Sequence, residues 1–323
     1  MSASRRYVSS DNYEPMEKVL SIDAEKYRVK PKESVKLSEW KTDYEGDRLN
    51  KQIGTSILEE GSKQLGEVQE KLYAQDRYSI LIILQAMDAA GKDSAIKHIM
   101  TGFNPIGVNV YSFKTPSTKE LDHHYLWRHY LALPSRGEIA IHNRSHYENV
   151  LITRVHPEYI LNERIPGIDS VDKIDEKFWK RRMKQINHFE KTLALNGTII
   201  LKFFLHVSKK EQKKRFLERI DDSTKNWKFS LNDIRERDYW DDYQRAYEKA
   251  LSATSTKHAP WFVVPSDNKW YARLVVAAAI AQQFDKMHIE YPTLDTKGKE
   301  ELAQGKAHLM AEDGASSDTV KGS

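Results

Sequence analysis

Ten consecutive residues, QAMDAAGKDS at positions 85–94, carry the first chemical suggestion in this chain. Gly91 and Lys92 stand where the phosphate-cradling Walker A pattern, GxxxxGK[ST], puts its second glycine and its lysine. Ala86 replaces the first glycine, and Asp93 stands where serine or threonine is usual. Backbone N–H groups over Ala89, Ala90 and Gly91, the start of a helix at Asp93 and Ser94, and the Lys92 ammonium would all converge on an anion. The alternative is an ordinary strand-to-helix turn. A carboxylate beside bound phosphates is repelled unless a cation stands between them. Asp88 therefore points to a bridging Mg²⁺ or to a base for an incoming phosphate. Asp93 has a second explanation, because a negative side chain also favours a helix start.

Further along the chain, other charged residues follow apolar runs. Lys114 comes directly after GVNVYSF (107–113) and is either a phosphate neutraliser or a solvated loop lysine. The next segment holds His123, His124, Trp127 and Arg128; the adjacent histidines make a poor metal pair, and Arg128 is a candidate phosphate or nucleotide contact. EIAIH (138–142) runs into Asn143, Arg144, Ser145, His146, Tyr147 and Glu148. A Walker B strand usually ends in an acid that reaches the metal. Asn143 stands there instead and binds Mg²⁺ more weakly; Glu148 is the carboxylate that could replace the missing acid, or a surface residue. Arg144 is placed to meet a phosphate, against a structural ion pair as the alternative.

Between Lys209 and Lys228 lie eight basic and four acidic residues. On composition alone, this is a solvated helix face. Behind a phosphate loop it reads better as a cationic lid over about 209–240. Arg215 and Arg219 share one helix face, and Lys225 and Lys228 follow in a loop.

These residues need a scaffold. Tyr78 to Leu84, 107–113, 138–142, Thr198 to Val207 and Trp261 to Val264 read as strands, the first and fourth as continuous apolar runs. Helical spacing separates them: 48–75, the segment from the loop through Met100, a helix opened by a capping box at Ser117–Glu120 and running through Leu131, a long helix from about Ile174 to Leu193, the basic helix opened by a second capping box at Ser208–Glu211, one from Ser230 through Leu251, and Lys269 to Phe284. Strand and helix in alternation predict an α/β fold of three layers, α/β/α, around a five-stranded parallel sheet. Ligands of such sheets gather at the carboxyl ends of the strands, where each motif above falls. Residues 1–47 read as an N-terminal arm, 48–290 as the catalytic domain and 291–323 as a flexible tail.

The chain has 323 residues, 39% hydrophobic and 30% charged, enough for a packed core. A net charge of +4 does not itself imply nucleic acid, and the basic segment lacks the interleaved aromatic platforms of single-strand binders. No cysteine is present, so disulfides and thiolate metal sites are excluded. There is no membrane-length apolar run, and MSASRRYVSS has no secretory pattern, so a cytoplasmic location without membrane attachment is expected.

Taken in order, QAMDAAGKDS, FKTPS, HHYLWR, NRSHYE and RFLERIDDSTKNWKFS resemble the family-2 polyphosphate kinases over roughly residues 25–290. The resemblance implies a thymidylate-kinase-like P-loop fold with a helical lid over a polyphosphate channel. It also implies phosphoryl transfer between inorganic polyphosphate and AMP, ADP or ATP, and a homodimer or homotetramer. Asp88 and Lys92 match the family's Walker A aspartate and lysine, and Arg144 the arginine after its Walker B strand. Arg215, Arg219, Lys225 and Lys228 match its lid cations. Asn143 departs from members with aspartate, and His146 from those with tryptophan; NRSHYE is similar to the third class, which phosphorylates both AMP and ADP. The expected chemistry is Mg²⁺-dependent in-line transfer, with Mn²⁺ as the other candidate ion and the nucleotide's terminal phosphate at the P-loop. An ATP-dependent nucleoside monophosphate kinase of the same fold, and a non-catalytic polyanion-binding protein, are the rival readings.

Overall fold

A computed structural model describes residues 19–315, in two compact units that part between Ile289 and Glu290. The first unit is built on five strands: β1 (Ser79–Ala86), β2 (Val108–Ser112), β3 (Ile139–Asn143), β4 (Thr198–His206) and β5 (Trp261–Pro265). All neighbours are parallel, in the order β2-β3-β1-β4-β5. β1 is central and wholly buried, as its unbroken apolar run requires. It runs two residues further than expected because Gln85 and Ala86 still pair with Phe204 and Leu205 of β4. On its other side pairing ends at Leu84 opposite Asn143. The strands therefore part at the carboxyl edge, and a crevice opens between the phosphate loop and the residues after β3.

Helices cover both faces. One layer holds α1 (Lys51–Gln75), α2 (Lys92–Ile99) and α10 (Lys269–Met287). The other holds α5 (Ile152–Val155), α6 (Glu176–Leu195) and α9 (Trp240–Thr254). The α/β/α expectation is met. α1 starts where Asn50 caps it, the side chain accepting from Ile53 N at 2.9 Å. It can lie close to the turn after α2 because Gly66 and Gly102 face each other; a Cβ on Gly66 would stand 1.9 Å from the Gly102 carbonyl oxygen.

Several expectations need correction. The helix opened by the Ser117–Glu120 capping box does form as α3 (Thr118–Leu121), but it stops there and restarts as α4 (Trp127–Tyr130). Between them His124 Nδ1 takes the Leu126 N–H at 3.3 Å, a local side-chain bond competing with the helix ladder. The second capping box is half present. Ser208 accepts from Glu211 N at 3.1 Å, but Asp267 rather than Glu211 takes the Ser208 N–H. Beyond α7 (Lys209–Asp221), the single helix expected over 230–251 is α8 (Leu231–Arg235) and α9, joined by a 3₁₀ stretch at Glu236–Tyr239. Glu236 is pinned there by His156 Nε2 at 2.9 Å and the Tyr243 hydroxyl at 2.7 Å.

The expected arm boundary at 47 is no break in packing. Val19, Ala24, Val29, Val35 and Leu37 join the main core, and Arg28 bridges to Phe262 on the β5 edge. Residues 1–18 of that arm lie outside the described residues, as do 316–323 of the expected tail. In the second unit, Thr296–Ala315 forms helix α11 where a loose tail was expected. Its alanines, glutamates and lysines are good helix formers, and Lys297–Glu301 and His308–Glu312 make i, i+4 pairs.

Candidate active site

The phosphate loop links β1 to α2 along an unusual backbone path. Ala89 has φ +58° and Gly91 φ +107°, so the two residues flanking Ala90 both take left-handed backbone conformations. Lys92 crosses the loop, donating to the Ala86 carbonyl at 2.9 Å. Burial, then the neighbouring Arg144 charge, pull its ammonium below the ordinary lysine range. Ala90 differs from expectation: its N–H turns inward to the Met87 carbonyl at 3.3 Å. Ser94 Oγ accepts from Arg273 of α10 at 2.7 Å.

Across the crevice Arg144 also sits in the left-handed region, with φ +64°. Its N–H is fixed to the Leu84 carbonyl at 3.0 Å, and its guanidinium reaches Asp88 Oδ1 at 3.0 Å. Asp88 and Arg144 are thus joined directly, two residues 56 positions apart. Glu148, one turn on, is half-buried behind them. Burial pushes its carboxyl up, while Arg144 and Lys92 pull it down.

Asn143 and Asp93 also meet: Asn143 Nδ2 donates to Asp93 Oδ1 at 2.8 Å. That fixes the amide so that Oδ1, buried and without a protein partner, is the free end. Among the described residues no three acidic or histidine side chains converge as a metal cage. Mg²⁺ does not require one, since it keeps waters and binds through one or two carboxylates and phosphate oxygens. Asp88 and the orphaned Asn143 carbonyl oxygen match that donor chemistry.

The basic segment divides in a way its spacing does not reveal. Arg215 was expected to face a ligand with Arg219. It lines the same cavity as Arg219, but its side chain is almost wholly buried in the wall and its guanidinium is fully engaged: Nη1 donates to the carbonyls of Ala89 and Ala90 at 3.2 and 2.8 Å, Nη2 to those of Ser266 and Asp267, and Nε to Glu211 at 2.9 Å. It braces the phosphate loop against the end of β5. Arg219 donates to the Lys228 carbonyl at 3.1 Å and lies 3.5 Å from Asp233, both within the basic segment and its flank. Lys225 pairs with Asp222, and Lys228 stands 4.0 Å from Asp93.

Two cavities meet at Arg144. The larger, about 770 Å³, is lined by the phosphate loop and the lid, with eight Lys and Arg side chains against four carboxylates. Its sign suits a polyanion. The smaller, about 310 Å³, lies behind the β2 end and is lined by Phe113, Tyr125, Ile152 and Tyr159. Lys114 and Arg144 line both. Arg128 belongs to the smaller one, with its guanidinium 5.0 Å over the Phe113 ring and 3.2 Å from Glu120.

Sequence reasoning missed four contributors. Lys269 lines the cationic cavity, and Arg273 holds Ser94. Their i, i+4 spacing after β5 repeats the Arg215–Arg219 pattern and was a readable signal. Gln212 donates to the Asp88 carbonyl at 2.9 Å and accepts from Arg237. Neither of those has a sequence signature.

Residues 48–292 match the family described as polyphosphate kinase 2 (PPK2). The chain is 45% identical over 291 residues, 90% of its own length and 100% of the other's, to the ADP-polyphosphate phosphotransferase of Rhodopseudomonas palustris. It is 40% identical over 275 residues, 84% of this chain and 96% of the relative, to the AMP/ADP-polyphosphate phosphotransferase of Meiothermus ruber. Among solved structures it is similar to polyphosphate kinase 2 from Arthrobacter aurescens TC1, with a TM-score of 0.77 and 37% identity over 87% of this chain and 96% of that one. Among the described residues no helix is long and apolar enough to cross a membrane.

Proposed function

This chain belongs to the polyphosphate kinase 2 family, and from that premise we infer that it is a polyphosphate-dependent nucleotide kinase moving phosphoryl groups between inorganic polyphosphate and AMP or ADP. One observation carries the division of labour within the site: a cationic cavity and an aromatic-lined cavity meet at Arg144, beside Asp88. Polyphosphate has repeating charge and no base, so it suits the first. A nucleoside suits the second.

The donor lies along Arg219, Lys225, Lys228 and Lys269, its end at the phosphate loop. The acceptor's base and ribose occupy the pocket of Phe113, Tyr125 and Tyr159. Its phosphate faces Lys114, Arg128 and Arg144. This seats the nucleoside beside the loop rather than on it. An acceptor phosphate oxygen attacks the terminal phosphorus of the donor in line. The bridging P–O bond breaks, and the shortened polyphosphate leaves. A phosphate near neutral pH is already largely a dianion, with its second pKa about 6, so the nucleophile needs no base. Asp88 then orients Arg144 rather than taking a proton. Lys92 and Arg144 balance charge on the moving group. Asp88 and Asn143 Oδ1 are the groups that would hold Mg²⁺ or Mn²⁺, which would supply further charge neutralisation there.

Incubation of the purified protein with Mg²⁺, ADP and polyphosphate, in the absence of ATP, should yield ATP. Turnover of AMP only when ATP is the donor would instead identify a nucleoside monophosphate kinase.

A further inference from the structure

Beneath the turn that carries Arg144 lies a buried ion pair that the transfer reaction does not touch. Lys202 sits in the middle of β4, between Ile83 of β1 and Trp261 of β5, and is 0% exposed. Its ammonium has three N–H donors and finds three acceptors: Glu190 Oε2 at 2.7 Å, the Tyr147 hydroxyl at 2.8 Å and the Thr254 carbonyl at 2.8 Å. Glu190 on α6 is equally buried; its Oε1 accepts from the Tyr147 hydroxyl at 2.7 Å and lies 3.3 Å from His146 Nε2.

Such a pair is a poor device for stability alone. Desolvating two charges costs about what their attraction returns, and apolar residues of the same volume often serve as well. What a fully satisfied buried network does supply is a fixed position. Here the fixed object is the segment after β3. Ser145 Oγ accepts from Gln85 Nε2 at 3.1 Å and from Tyr147 N at 3.2 Å. His146 and Tyr147 point down into the ion pair. Arg144 and Glu148, on either side, line the site cavities. Arg144 keeps a left-handed backbone that a residue with a side chain adopts only when its surroundings impose it.

We propose that the Lys202–Glu190–Tyr147 cluster is a positioning device, fixing the 145–147 turn so that Arg144 meets Asp88 and Glu148 lies behind them. The inference rests on the assignment of Arg144 to the transfer site. Tyr147→Phe removes one hydroxyl and leaves Lys202 and Glu190 paired. Combined Lys202→Met and Glu190→Gln removes both charges, so no lone buried carboxylate remains. At a temperature where circular dichroism shows each variant fully folded, kcat with AMP and polyphosphate should fall about tenfold or more, the scale of a small misplacement of a reacting group. KM for polyphosphate should stay within about twofold, because the lid is untouched. In an Arg144→Ala background, Tyr147→Phe should cost less than about twofold, since the residue it positions is gone. Folded variants with wild-type kcat, or a Tyr147→Phe loss undiminished in the Arg144→Ala background, would overturn the proposal. Arg144→Ala at wild-type kcat would sink the site assignment itself and the proposal with it. An inactive Arg144→Ala beside a fully active Tyr147→Phe would sink the proposal alone.

Discussion

Arg215→Ala separates the two meanings a lid arginine can have. If Arg215 contacted polyphosphate, its loss would raise KM for the donor, flatten the salt dependence and leave stability alone. The structure gives it a different task. Its buried guanidinium donates to four backbone carbonyls, two in the phosphate loop and two after β5, and to Glu211. Hydrogen bonds from a charged donor contribute about 1.5–3 kcal/mol each, but not additively, and truncating one partner of a buried charged network costs about 3–5 kcal/mol. Glu211 is partly exposed and recovers water. A loss of about 4 kcal/mol is therefore expected, a large share of the roughly 5–15 kcal/mol that holds a domain together. The Ala89 and Ala90 carbonyls lose their anchor too, so kcat should fall about 100-fold in whatever fraction remains folded. Urea unfolding followed by circular dichroism gives the first quantity; initial rates with saturating AMP and polyphosphate at low temperature give the second. A variant that unfolds within about 1 kcal/mol of wild type, keeps its kcat and shows only a raised donor KM would refute this account of Arg215.

Arg219→Ala should behave in the opposite way: stability nearly unchanged, KM for long polyphosphate raised about tenfold, equivalent to 1.4 kcal/mol, and a shallower salt dependence in rate assays. A change confined to AMP affinity would contradict its place on the donor side. Lys92→Ala should lose transfer by at least about 100-fold while its circular dichroism spectrum stays native; near-normal turnover would remove the loop from the mechanism. Acid should destabilise the fold through buried histidines. Burial lowers His142 from an ordinary 6.5 to about 4, and lowers His129 and His146 as well. Between those values the unfolded chain binds more protons than the folded one, so stability falls as pH drops through that window, by about 3 kcal/mol for His142 alone. The thermal midpoint should drop from pH 6.5 towards 4.5, and less steeply in His142→Gln; parallel curves for the two proteins would contradict the assignment.

Much of the site was legible because its parts follow continuous apolar runs. SILIILQA is a short apolar run rich in β-branched residues, which reads as a buried strand, and the GK pair stands five residues beyond its end, where the Walker A pattern puts it. Arg144 was readable for the same reason, as the first cation after a short apolar strand. The direction of a side chain within a charge run was not. Arg215 and Arg219 have the same type and share a helix face, yet one is buried and the other lies among the lid's own groups; only the packing of α7 against the loop decides between them. The helix breaks after Leu121 and at Glu236 escaped because they depend on distant or competing partners, His124 in one case and His156 in the other. One signal was present and unused. A lysine inside TIILKFFLHV demands a buried counter-charge, and Glu190 in α6 supplies it.

In the proposed mechanism polyphosphate and nucleotide occupy the two cavities together and exchange a phosphoryl group directly. Initial rates of ADP formation, measured without ATP while AMP and polyphosphate are both varied, test it most directly. Direct transfer gives product and intersecting double-reciprocal lines, the pattern of a ternary complex. Parallel lines, which report a phosphorylated enzyme between two half-reactions, or no ADP until ATP is added, would contradict it.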